Sequence, residues 1–489
     1  MIYKNPILKG FYPDPSVCRA GDKYYMVCST FQYMPGVPVF ESDDLVNWVQ
    51  VGNALTRPSQ VELHSVPSSG GVFAPTIRYH NGRFYMVTTN DTLHRNFYVY
   101  TDNITGEWSE PHYVDQGGID PSLLFDGDKV YFLSNGEDDF GNWGITQCEI
   151  DIETGKKLTP SKTIWHGSGG RYLESPHMYK IGDYYYLTAA EGGTEYGHMI
   201  TYARSDSPWG EFVGYKNNPV LTNRNRGGFA IQGVGHGELV ESKNGEWFFI
   251  HLAYRQIGQY EMYHHLGREV YMTPAYFDEN GWIYCKNNGS TEFEYEIIGD
   301  FEQRKLPVYN MKNIDRRLEL LFLREYKSEN YLLSDDKYIL HATKTTIYEP
   351  LSPTFVGIRQ RDMCGKLTCN LSTDGCEAGI SVYMDERHHY DIAVRKSAND
   401  GYEAVVKLNI GDIKHEQATF SLPDNSVQIG ISFDSHGYSF SANGEYLARA
   451  STRYLSSEVA GGFTGVILAM YAQGNGSAEF DGLEITYYE

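Results

Sequence analysis

The segment Phe11-Tyr12-Pro13-Asp14-Pro15-Ser16-Val17 returns in pattern four more times before residue 300, and this repetition constrains the fold more than any other feature of the chain. The five copies begin Asp14-Pro15-Ser16, Ala74-Pro75-Thr76, Asp120-Pro121-Ser122, Glu174-Ser175-Pro176 and His236-Gly237-Glu238. Seven to nine residues after the first member comes a turn glycine: Gly21, Gly82, Gly127, Gly182 and Gly245. An aromatic, strand-like run follows each one, as in Tyr24-Tyr25-Met26-Val27 and Trp247-Phe248-Phe249-Ile250. The glycines stand 61, 45, 55 and 63 residues apart, the spacing of repeated four-stranded sheets with loops of varied length. The expected fold is a five-bladed β-propeller over residues 1–300. Strands of a propeller converge on an axis, so one register in every blade lands on one ring. Asp14, Asp120 and Glu174 are then predicted to face one another across it. A plainer reading is that Asp favours turns and Pro is tolerated at the first residue of a strand. It accounts for each motif singly but not for their shared register.

After Asp300-Phe301 the repeat stops, and short alternating strands take over, among them Ala378–Tyr383 and Val427–Phe433, with Asn443-Gly444 as a hairpin signal. Residues 301–489 are expected to form a β-sandwich, which makes the whole chain all-β. No low-complexity linker separates the halves, so rigid docking is expected. The apolar stretch Val459–Met470 is too short and glycine-rich for a bilayer span and reads as a buried strand.

The chain carries 63 Asp and Glu against 41 Lys and Arg, a net charge of −22, which disfavours nucleic acid and anionic membranes as partners and suits a neutral polar ligand such as a sugar. No basic region followed by an apolar run opens the sequence, so a cytoplasmic protein is expected. The seven Cys lack any Cys-x-x-Cys pair and read as reduced core residues. Nucleotide-binding, serine-hydrolase and zinc-protease signatures are missing.

At 171–202 the chain reads Arg171-Tyr172-Leu173-Glu174-Ser175-Pro176-His177, then Glu191-Gly192-Gly193-Thr194. Together with Tyr12-Pro13-Asp14-Pro15-Ser16, Ile119-Asp120-Pro121-Ser122, Gly235-His236-Gly237-Glu238 and Leu266-Gly267-Arg268-Glu269, it resembles glycoside hydrolase family 43, which includes β-xylosidases and α-L-arabinofuranosidases. Ser352-Pro353-Thr354-Phe355 with Arg359-Gln360 resembles the second, concanavalin-like domain that xylosidases of the family often carry.

The resemblance implies an exo-acting, inverting glycosidase that releases terminal xylose or arabinofuranose from short oligosaccharides. It assigns Asp14 as the general base that activates water, Glu174 as the general acid, and Asp120 as the group that orients the acid and raises its pKa. Two carboxyls across a scissile bond are what such chemistry requires. The resemblance further implies that Arg268 binds the terminal sugar and that Phe31 and Phe73 line the pocket. A structural ion pair for Arg268 and core packing for the two rings stand as alternatives. His236, under the pocket, is a candidate substrate-binding residue and the candidate contact to a structural calcium; the chemistry itself requires no cofactor. An endo-arabinanase and a catalytically silent carbohydrate-binding protein are the competing functions. Association into a homo-oligomer is left open.

Overall fold

The computed structural model describes residues 1–398 and 401–488. Among them, five four-stranded antiparallel sheets follow one another along the first part of the chain. Their innermost strands are Ser16–Ala20, Thr76–His80, Ile119–Asp126, Glu174–Ile181 and Ile231–Glu241. Each of these strands touches the next, and the last touches the first. The sheets therefore close into a ring.

The aromatic second strands show why this sequence closes. In Lys23–Val27, Tyr24 and Met26 pack against Val240, Phe248 and Ile250 of the fifth sheet, whereas Tyr25 and Val27 pack against Ile77, Phe84 and Met86 of the second. Successive side chains of a strand point to opposite faces, so a sheet buried on both sides needs an unbroken apolar run. The same division recurs at Phe84 and Met86 against Tyr85 and Val87. Strand Ile2–Lys4 pairs with Glu294–Glu296, which brings the start of the chain beside the end of the ring.

Between Glu296 and Tyr309 the chain forms no strand. The rest builds two antiparallel sheets of eight and six strands that enclose a second core. Asn443 and Gly444 both have positive φ, 50° and 82°, and close the expected hairpin between Gly437–Ala442 and Glu445–Ser451. The outer face of the six-stranded sheet is not free. Phe355, Tyr383, Ala393 and Tyr471 share one apolar cluster with Phe11, Phe31 and Tyr33 of the ring, and Phe322–Leu323 adds a strand to Tyr33–Met34. The two halves are thus joined by a common core. All seven cysteines are free thiols. Among the described residues no helix is long and apolar enough to cross a membrane.

One expectation is corrected here. Of the apolar stretch Val459–Met470, only the part from Ile467 onward is strand, in Ile467–Gln473. Residues 461–466 form a loop, because Gly461 and Gly462, at φ 76° and 75°, occupy a backbone region that a strand does not use.

Candidate active site

Four residues adopt left-handed backbone conformations, Asp14 (φ 55°), Asp120 (53°) and Ser175 (54°) at the entry to their innermost strands and His236 (47°) in the middle of Ile231–Glu241. Ladder pairing breaks beside the last three. Such conformations are rare outside glycine and concentrate at functional sites. Cross-strand partners fix which positions correspond. Ser16 pairs with Val27, Thr76 with Val87, Ser122 with Leu133 and His177 with Thr188. Two residues upstream of these lie Asp14, Ala74, Asp120 and Ser175. Ser175, not Glu174, therefore holds the ring position in the fourth sheet, and the expected register is off by one there. A one-residue offset on extended chain turns a side chain to the other face. Glu174 accordingly enters the site from a different direction and stays partly exposed, while Asp14 and Asp120 are buried. The sequence held the signal: the turn glycine lies seven residues after Asp14, Asp120 and Ser175 alike, but eight after Glu174.

The fold brings the three carboxyls close enough to act on one another's protonation. Asp14 Oδ2 accepts from the Ser29 hydroxyl at 2.5 Å, and its Oδ1 accepts from Arg268 Nη1 at 2.9 Å. Burial opposes its ionisation, but Arg268, His236 and the Ser29 hydrogen bond together outweigh it and hold Asp14 below the usual carboxylate range. Glu174 is pushed up to about 7, by burial first and then by the negative charge of Asp14, with Arg268 opposing. Asp120, whose Oδ2 accepts from Ser175 N at 3.1 Å, is also pushed up, by burial and then by Glu174 and Asp14. Asp120 and Glu174 thus act on each other's protonation, and the charge of Asp14 raises both.

Arg268 joins these groups to the second domain. Nη1 also donates to Thr194 Oγ1 at 3.0 Å, and Nη2 donates to the carbonyl of Phe463 at 3.1 Å. The ring of Phe463 stacks on Phe31 at 5.8 Å and meets Phe73 edge-on at 6.3 Å. Phe31 is itself only 3% exposed, with Phe11 on one side and Phe463 on the other, so the aromatic surface open to solvent belongs to Phe463, 39% exposed, beside the half-buried Phe73. Phe463 is held by its own backbone, whose N–H donates to Ser69 Oγ at 2.8 Å. A Cβ on Gly462 would lie 2.4 Å from that oxygen, and one on Gly465 would lie 2.2 Å from the Leu266 carbonyl. Glycine is required at both places for the loop to lie this close to the ring. Sequence reasoning missed Phe463 because it stands 195 residues from Arg268. The Gly461-Gly462-Phe463 triplet was its only trace.

His236 Nδ1 lies 3.7 Å from Asp14 Oδ1 and 4.0 Å from Asp120 Oδ2. Burial lowers its pKa. Calcium takes six to eight oxygen ligands, yet the two nearest carboxylate oxygens already accept from Arg268 and Ser175. Among the described residues no group of three or more His, Cys, Asp or Glu could hold a metal ion. The residues around His236 do not fit a calcium cage.

A ring of five sheets with three interacting carboxyls and a sandwich docked against it can supply the paired carboxyls that glycoside cleavage requires. The model for glycosyl hydrolases family 43 matches residues 3–283, and that for the β-xylosidase C-terminal concanavalin A-like domain matches 313–486. The chain belongs to glycosyl hydrolase family 43. It is 36% identical to a non-reducing end α-L-arabinofuranosidase of Bacteroides ovatus, with 100% of this chain and 94% of that one covered. It is also 36% identical to a xylosidase/arabinosidase of Butyrivibrio fibrisolvens, with coverage of 100% and 99%. Among solved structures, the Bacteroides ovatus Xyloglucan PUL GH43B superposes with a TM-score of 0.93 at 34% identity over the full length of both chains.

Proposed function

We propose that the protein is an exo-acting, inverting glycosidase that releases terminal β-D-xylose, α-L-arabinofuranose or both from short oligosaccharides, and that its five sheets are the blades of a five-bladed propeller. The observation that carries this reading is the opposed protonation of two carboxyls in one site. Asp14 is held ionised by Arg268 and serves as the base that activates water. Glu174, pushed up to about 7, keeps its proton near neutral pH and serves as the acid for the departing oxygen. Asp120, itself buried, aligns the acid through the Ser175 N–H. Inversion is what the family resemblance implies, with water held between the carboxyls. No cofactor enters this chemistry.

Exo action is supported by the Phe463 loop. It brings an aromatic wall from the second domain over Phe31 and Phe73, where an endo-arabinanase needs an open groove. The intact ring disfavours a silent binding protein. The relatives' names cover both sugars, and the deciding experiment is hydrolysis of nitrophenyl β-xyloside and nitrophenyl α-arabinofuranoside by purified protein. Comparable rates support dual specificity. Failure on both, with activity on internal arabinan bonds, would replace this reading by the endo one.

A further inference from the structure

Beneath the acid ring lies a buried ion pair for which the proposed chemistry has no role. Arg78, on the innermost strand of the second sheet, pairs through Nη1 with Glu238 Oε1 of the fifth, the two side chains being 14% and 1% exposed. Its Nε donates to the Leu123 carbonyl of the third sheet at 3.0 Å, its Nη1 to its own neighbour Ile77 at 2.8 Å, and its Nη2 to His177 Nδ1 of the fourth at 3.2 Å. Glu238 Oε2 accepts from Val17 N of the first sheet at 2.8 Å. One guanidinium–carboxylate pair thus touches the innermost strand of every sheet, which only a position on the ring axis allows.

The contacts also run to the reacting groups. Val17, Leu123, His177 and Glu238 lie two or three residues beyond Asp14, Asp120, Ser175 and His236. Arginine can only donate, so His177 Nδ1 must carry the lone pair and Nε2 the proton. Burial and Arg78 keep that imidazole neutral by lowering its pKa. Nε2 lies 3.4 Å from Ser175 Oγ, and Ser175 N donates to Asp120 Oδ2 at 3.1 Å. A continuous path links Arg78, His177, Ser175 and Asp120.

We propose that Arg78 is the built-in axial cation of this protein, a positioning residue that ties the five innermost strands and holds Asp120 through His177 and Ser175, so that the ring needs no metal ion on its axis. A fixed guanidinium with donors in several directions does there what a bound cation would do, and the poor fit of the His236 surroundings to calcium agrees with it. Its activity arm rests on the proposed roles of the acids; its metal arm does not.

The test has two arms. In the first, wild-type protein is stripped with EDTA, dialysed and returned to millimolar calcium chloride. Tm and kcat are expected to stay unchanged, and a fall with EDTA that calcium restores would overturn the proposal. In the second, Arg78→Met is compared with Arg78→Lys and with the charge-neutral pair Arg78→Met/Glu238→Gln. The neutral pair is expected to regain most of the Tm that the single Met variant loses, since no lone buried charge remains. Its kcat should stay roughly 10²-fold down with KM within about twofold, as misplaced catalytic groups produce, and Lys should restore part of it. A neutral pair with wild-type kcat would overturn the positioning role. If no variant folds, the metal arm decides. A wild type inactive on both nitrophenyl glycosides would sink the proposed function while the metal arm, read by Tm, still stands.

Discussion

Arg268 donates to the backbone carbonyl of Phe463 at 3.1 Å, so the guanidinium that holds the proposed base in the first domain is itself held by a loop of the second. Its other terminal nitrogen serves Asp14 and Thr194. The two domains therefore build one site, and the first prediction follows from that union.

Ending the chain near residue 300 should give insoluble or inactive protein, because it strips Phe11, Phe31 and Tyr33 of their shared apolar cluster. A finer cut is Phe463→Ala, which keeps the backbone carbonyl but removes the ring. The loss of aromatic contact, about 0.5–1.5 kcal/mol, should lower kcat/KM on xylobiose by about 2- to 12-fold. A soluble truncate with full turnover would make the second domain an appendage.

Glu174→Ala should nearly abolish cleavage of xylobiose, whose leaving alcohol needs a proton, by about 10²- to 10⁴-fold. Its effect on an aryl glycoside with an acidic phenol should be far smaller. Asp14→Ala should be severe on both, since the attacking water then lacks its base. Equal losses for the two variants on both substrates would remove the assignment of acid and base.

The pH profile on xylobiose should carry a basic limb near the pKa of Glu174, pushed up to about 7. Below that value the acid holds its proton; above it, kcat/KM should fall about tenfold per pH unit. Arg268 lowers the pKa of both Glu174 and Asp14. Arg268→Met should consequently move both limbs to higher pH, besides reducing activity. Movement of the limbs toward acid would contradict the electrostatics of the ring.

Proton NMR of xylobiose hydrolysis should show α-xylose first, as inversion of a β-linkage requires. Initial β-xylose would mean a covalent intermediate and a different role for Asp14.

Gly462→Ala should act on the loop rather than on the chemistry. The added methyl meets Ser69 Oγ on a backbone with φ 75°, so the loop must shift. kcat/KM should fall in the same direction as for Phe463→Ala, while the ratio of the two leaving groups stays that of wild type. A variant with wild-type kcat/KM on xylobiose would show that the fit of this loop does not matter to the site.

The repeat that opens the chain determined a great deal by itself. Apolar runs such as Tyr24–Val27 dictate sheets buried on both faces, and the motifs around Asp14, Asp120 and Glu174 mark where three carboxyls gather, because local periodicity and turn residues are written within a few positions of one another. Glu174 stands one residue off the ring because the left-handed turn falls on Ser175, an offset already carried by the seven-residue spacing from Ser175 to Gly182. Two things were decided only in three dimensions. Phe463 reaches the pocket by domain docking, and Arg78 meets Glu238 across the ring. Contacts between residues 160 to 195 positions apart leave no periodic trace in a single sequence. They are set by how closed sheets pack, which is why the acids and Arg268 could be found from their motifs whereas Phe463 and Arg78 could not.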